Sequence, residues 1–178
     1  KQIALSVQFT LRCAMAALRA GERFPSFTLL GIDSATYSLT GAQSEASFLV
    51  FFKNSCPTCI LMVPYLQRLY ERVEGAALHF WGISQDSVQE TRVFGEQYSL
   101  TFPLIPDGPG YPVSNACGLT NVPTWFLVEP DATITRVGLG FSKADLEALA
   151  ADLRGRLRIP GVSPLFVPPD QVPEVRPG

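Results

Sequence analysis

Histidine is almost missing from this chain: His79 is the one histidine in 178 residues. A tetrahedral zinc site built from Cys and His needs four ligands. The sequence offers neither a second CxxC nor an HxxxH to complete one, so no resident metal is expected. Cysteine is scarce as well, with four residues at 13, 56, 59 and 117, too few for a disulfide-scaffolded domain of this length. Charge is low, at 17% of residues and a net −2, with Lys and Arg scattered. That pattern excludes the basic patch that nucleic acid or an anionic membrane surface would need. Long apolar runs are also lacking. The N-terminal "IALSVQFTLRCAMAALRA" is broken by Gln8, Arg12 and Arg19 and is too short and polar to span a bilayer. It is expected to pack on the domain as an amphipathic helix or added strand, with the remnant of an anchor as the alternative. Lys1 stands where an initiator methionine would, as removal of a leader would leave it. The compartment stays open between bacterial cytoplasm and periplasm.

What the chain does have is apolar material, 47% of residues, enough for one domain with terminal additions. "PSFTLLGIDSATYSL" predicts two short strands around a Gly31–Asp33 turn. "SFLVFFK" (47–53) is continuous and rich in β-formers, as in a strand buried on both faces. A helix is expected from Pro57 to Val73, where Ile60, Val63, Leu66, Leu69, Tyr70 and Val73 recur at three- and four-residue spacing. Pro57 suits the first turn, and Gly75 the end. A second buried strand follows in "ALHFWGIS" (77–84), then a helix from Ser87 to Tyr98 with Asp86 as its cap, a turn-rich "FPLIPDGPGYP", and a short helix over Val113–Cys117. "TWFLVEP" and "ATITRVGLG" predict an antiparallel pair joined at Pro130–Asp131, and Ser142 caps a last helix with Leu146, Leu149, Ala150 and Leu153 on its apolar face. Beyond Pro160 the prolines predict an extended arm or a partly disordered tail. Alternating strands and helices imply an α/β sheet covered on both faces, with "CPTC" (56–59) on the first strand-to-helix turn.

That placement carries chemistry. Cys56 stands at a helix N-terminus, where free backbone N–H groups and the helix dipole favour an anion, and the thiolate is the nucleophile. Cys59 lies about one turn on, within reach of a disulfide. Cys56 can attack a disulfide and Cys59 can resolve the mixed disulfide that forms. A structural CxxC is the bland alternative.

"FLVFFKNSCPTC" resembles the strand and active-site turn of the thioredoxin superfamily, in its TlpA/ResA-like and AhpC/TSA-like redoxin branch, with Phe52 where a tryptophan often stands. Pro64 resembles the kink proline of the active-site helix. "TNVPTWFLVEPD" resembles the cis-proline segment, which implies a cis bond between Val122 and Pro123. "GISQDSVQETRVFGEQYSLTFPLIPDGPGYPVSNACGLTNVPT" resembles the redoxin central insertion. The resemblance implies a thioredoxin-like α/β fold, a central mixed sheet flanked by helices, with a redoxin-type N-terminal hairpin and central insertion. It covers residues 18–157, leaving a 1–17 extension and a proline-rich 158–178 tail outside. It further implies a thiol-disulfide oxidoreductase with Cys56 and Cys59 as the catalytic pair and their disulfide as the sole redox group, without a separate cofactor. Pro57, Thr58, Val122 and Pro123 would meet the substrate, Val122 through backbone pairing with an extended segment. The partners would be a disulfide-containing protein and a thiol electron donor, with no nucleic acid and no integral membrane segment.

A thiol peroxidase using Cys56 is the alternative enzyme, and a redox-inert binding module the alternative outside enzymes. Peroxiredoxins carry Thr or Ser three residues before the cysteine and an arginine at the start of a later strand. Here those positions hold Lys53 and Val122, which favours disulfide exchange. Two departures concern proton transfer. Val50 replaces the buried acid of thioredoxin, and Met62 replaces the ResA-like glutamate. Glu45, Asp86 and Glu96 are the remaining acids considered as acceptors for Cys59. Cys117, Cys13 and His79 are expected to be structural, and Trp125 to pack behind the site or line it.

Overall fold

The computed structural model describes residues 17–160, 164–167 and 170–178; the expected N-terminal helix or strand over 1–16 lies outside them. The central sheet has the order β5(Leu104–Pro106)–β4(Leu78–Ser84)–β3(Ala46–Phe52)–β6(Thr124–Val128)–β7(Ile134–Leu139). β3 runs parallel to β4, and β4 to β5, while β6 pairs antiparallel with both β3 and β7. The sheet is therefore mixed, as expected. β1 (Phe27–Leu30) and β2 (Thr36–Leu39) form the antiparallel N-terminal hairpin.

The uninterrupted apolar run of β3 follows from burial on both faces. Phe48, Val50 and Phe52 point into a cluster with α1 (Pro57–Val73) and α4 (Lys143–Leu157), to which α2 (Val88–Gln97) adds Phe94. Leu49 and Phe51 point the other way, toward Phe24, Phe27 and Leu39 near the hairpin and toward Val113 of α3 (Pro112–Ala116). Alternate residues of one strand thus seed two cores.

α1 spans the predicted residues, capped by Cys56, with Pro57 in the first turn and Pro64 inside it. α2 is capped by Ser87, whose hydroxyl accepts from Glu90 N–H while Glu90 bonds back, a capping box. Asp86 does not cap it, and turns its carboxylate elsewhere. Ser142 caps α4 as expected. Two features were not foreseen: β5, a three-residue strand inside the turn-rich stretch, and a short sheet of β8 (Phe141–Ser142) with β9 (Val175–Arg176).

The tail is an arm seated on the domain. Its described residues pack across α1 and α4: Leu165 is fully buried in the main core, and Phe166 lies on Tyr65 at 4.3 Å between ring centroids. Glu147 accepts from the backbone N–H groups of Leu165 and Phe166, and Arg68 pairs with Asp170. Proline removes helical alternatives but does not stop a segment from seating one large side chain in a groove. Among the described residues, no helix is long and apolar enough to cross a membrane.

Candidate active site

β3 delivers the chain to a tight turn over Lys53–Ser55, closed by Cys56 N–H donating to the Lys53 carbonyl at 3.0 Å. Cys56 keeps an extended backbone (φ −84°, ψ 115°) as the N-cap of α1, and its Sγ accepts from Cys59 N–H at 3.3 Å. This cap is the ordinary N-cap interaction with sulfur in place of oxygen. On its other side the Cys56 thiol donates to the Val122 carbonyl at 3.3 Å. The Val122–Pro123 bond is cis, as the resemblance implied; Gly108–Pro109 is also cis, with no sequence expectation behind it.

The two thiols, both free, occupy opposite environments. Cys56 is half-buried beside exposed Lys53, Ser55 and Pro57. Cys59, one helical turn on, faces inward at 1% exposure, in the same core as Val50 and Met62. Burial pushes the Cys59 thiol far above the usual thiol range. A backbone hydrogen bond from Lys53 works the other way, and the proximity of Cys56 and the negative charge of Asp86 reinforce the rise. The arrangement gives one sulfur at the rim and one buried behind it, whose ionisation is opposed.

Of the acids weighed as proton acceptors, Asp86 alone lies beside this turn. Its carboxylate accepts from Asn54 N–H at 2.7 Å, two residues before Cys56, and from Ser84 Oγ at 3.4 Å. It braces the turn rather than capping α2. Glu45 sits at the opposite end of β3, and Glu96 lines a surface depression with Ile32 and Arg92. Cys117 is buried on the other face of the sheet, beside Phe51 and Ile83, where burial also raises its thiol. His79 stacks on Trp81 at 5.0 Å. Trp125 is buried in the same core as Cys59, against Phe48. Cys13 lies outside the described residues.

The structure therefore gathers Cys56, Pro57, Thr58, Cys59, Val122 and Pro123 at one end of the sheet, beyond the C-terminus of β3 and the start of β6. Sequence reasoning missed a further contributor: Thr58 Oγ1 donates to the carbonyl of Pro177 at 2.7 Å, so the tail returns to the CPTC turn. No local pattern in the tail signals this.

Known proteins resemble the chain along most of its length. The thiol-disulfide oxidoreductase ResA of Halalkalibacterium halodurans is 27% identical over 123 residues, 68% of this chain and 69% of that protein. The ResA of Geobacillus thermodenitrificans is 26% identical over 141 residues, 78% of this chain and 79% of its own. Among solved structures, the thioredoxin domain of a thiol-disulfide oxidoreductase from Bacteroides vulgatus superposes with a TM-score of 0.67. It is 18% identical and covers 79% of this chain and 99% of that one. That likeness bears on the fold, which is thioredoxin-like. The profile of the AhpC/TSA family matches residues 20–137, more than half of the sequence with the CPTC turn and Pro123 inside it, and the chain belongs to that family.

Proposed function

We propose that the protein is a thiol-disulfide oxidoreductase that reduces protein disulfides through Cys56 and Cys59. The observation that carries this reading is the contrast between the two sulfurs: Cys56 half-buried at a helix N-cap, Cys59 fully buried one turn behind it. The Cys56 thiolate attacks one sulfur of a substrate disulfide, forms a mixed disulfide, and releases the other sulfur as a thiolate that takes up a proton. Cys59 then loses its proton and attacks Cys56 Sγ. The Cys56–Cys59 disulfide forms, and the second substrate sulfur leaves reduced. Two electrons have passed to the substrate, and an external thiol donor returns them to the pair. Cys59 N–H, already directed at Cys56 Sγ, holds the sulfur in place through both steps. Burial keeps the Cys59 thiol protonated, which leaves Cys56 as the sulfur that attacks the substrate.

Val122 and Pro123 supply the surface for an extended substrate segment, with Pro57 and Thr58 on its other side. The homologues' name, thiol-disulfide oxidoreductase, supports the same reaction here. Peroxide chemistry is disfavoured by Lys53 and Val122 at the positions where peroxiredoxins carry a hydroxyl and an arginine. The test is dithiothreitol-driven reduction of insulin. Activity is expected in the native chain and absent in Cys56→Ser, while hydrogen peroxide is consumed slowly by the reduced protein. Full insulin-reducing activity in Cys56→Ser would end the proposal, and fast stoichiometric peroxide consumption would replace it with a peroxidase.

A further inference from the structure

The surface next to Cys56 is already covered by the protein's own tail. Lys143 N–H donates to the Glu174 carbonyl at 3.0 Å, and β9 then adds to β8 with Ser142 opposite Val175 and Phe141 opposite Arg176. Pro177 follows, its carbonyl held by the Thr58 hydroxyl, and Thr58 is left only 4% exposed at the mouth of the motif. Gly178 comes to rest on the Val122 carbonyl, so close that a Cβ at 178 would overlap that oxygen. This is the oxygen to which the Cys56 thiol donates. Gly140 makes the approach possible: it has φ +70°, and a side chain there would come within 2.6 Å of the Arg176 carbonyl. The tail thus runs as an extended strand over the backbone that an incoming polypeptide would use.

The hold is weak by construction. It consists of a two-residue ladder, the Lys143 N–H bond to the Glu174 carbonyl, one side-chain hydrogen bond, and a Lys143–Glu174 ion pair whose glutamate is 81% exposed. Cys56, meanwhile, stays half-buried rather than sealed, and its neighbours Lys53, Ser55 and Pro57 are open to solvent.

We propose that residues Glu174–Gly178 form a strap that occupies the polypeptide site in cis, so that protein disulfides reach Cys56 only when it leaves, whereas small disulfides react with it in place. The strap sets substrate size. The proposal rests on the exchange reading above for its chemistry and adds no step to it: the same two electrons pass from the dithiol pair to whichever disulfide arrives.

The test compares the 178-residue chain, a chain ending at Pro173, and Gly178→Val, which lifts the strap end without removing it. Two readouts are taken. Alkylation of Cys56 by iodoacetamide and by a polyethylene-glycol maleimide, mapped by peptide mass spectrometry, reads access without turnover. Dithiothreitol-driven reduction of hydroxyethyl disulfide and of insulin reads catalysis. In both altered chains the bulky maleimide and insulin are expected to react about tenfold faster or more, with iodoacetamide and hydroxyethyl disulfide unchanged within about twofold. Millimolar peptide of the sequence EVRPG should restore the slow rates in the chain ending at Pro173. Equal maleimide and insulin rates in all three chains would overturn the strap. Absence of turnover with either disulfide in every chain would instead remove the exchange reading, and the maleimide ratio alone would then decide whether the strap covers Cys56.

Discussion

Replacing Leu165 by alanine tests whether the tail belongs to the fold or merely lies on it. Leu165 has no exposed surface and joins the core that contains Leu66, Leu69, Leu146 and Leu149. Deleting a fully buried leucine to alanine costs about 2–5 kcal/mol, the upper values applying where the wall cannot collapse into the space. Here the floor consists of two helices and is stiff, but the residue itself sits on an irregular segment that can settle. The lower half, about 2–3 kcal/mol, is therefore expected. A ceiling applies too. The tail's other anchors are the Phe166–Tyr65 contact, the Glu147 bonds to two backbone N–H groups, and a half-exposed Arg68–Asp170 pair. The ion pair contributes at most about 1 kcal/mol. Once the loss approaches the whole docking energy, the tail peels off and the domain loses nothing further. For a chain of this size the change corresponds to a fall in Tm of roughly 4–12 °C. Urea denaturation followed by tryptophan fluorescence and far-UV circular dichroism reads it. A loss below about 0.5 kcal/mol would refute the argument, because it would mean that the segment is not part of the core.

Three further outcomes follow from the site. Asp86→Asn keeps an acceptor for Asn54 N–H but removes the negative charge that opposes ionisation of Cys59, so resolution of a mixed disulfide at neutral pH should become modestly faster. Stopped-flow release of a chromogenic thiol measures it, and a marked slowing would instead make Asp86 the proton acceptor. Stability of the reduced protein should fall as pH rises above the ordinary thiol range of about 8.5. Cys59 and Cys117 stay protonated in the fold while the unfolded chain ionises, and the loss is about 1.4 kcal/mol per pH unit for each thiol. Oxidation removes the Cys59 contribution, so the slope between pH 8.5 and 10 should roughly halve, and equal slopes in denaturant titrations of the two forms would contradict the assignment. Cys117→Ala lies across the sheet from the motif and should leave insulin reduction within about twofold of the native rate; a loss comparable to that of Cys56→Ser would place Cys117 in the electron path.

The main elements were legible because local pattern and tertiary role agree in them. The β3 run is apolar at every position since both of its faces are covered, and α1 shows helical spacing because one face meets the sheet. β5 was hidden by its own turn chemistry. Pro103 and Pro106 flank or end a three-residue strand that exists because β4 offers an edge. The β8–β9 pair has still less local signal: two residues on each side, more than thirty positions apart, specified by the Gly140 bend and the Lys143–Glu174 contacts rather than by propensity. Asp86 was misassigned for a related reason. An acid just before a helix reads as a cap, yet Ser87 with Glu90 fills that role and frees Asp86 to brace Asn54 beyond the neighbouring ends of β3 and β4.

Within CPTC, the sequence carried the pair and its position but not the division of labour. Helical geometry supplies that division. A residue at the N-cap keeps extended dihedrals and stays at the rim, whereas the residue three positions later has completed a turn and shares the inward face with Met62 and Val63. Two identical side chains thereby become one half-buried sulfur at the rim and one fully buried one, a contrast to which the Asp86 charge adds. The missing carboxylates at 50 and 62 sharpen this contrast, because an apolar wall raises the cost of the Cys59 thiolate and leaves closure of the internal disulfide as the step most sensitive to the surroundings. A strap that rests on Thr58 and Val122 acts on the other step, the approach of substrate to Cys56. The two controls are therefore separable. Opening the strap should change the rate of mixed-disulfide formation with a protein substrate, while removing the Asp86 charge should change only the rate at which that mixed disulfide resolves.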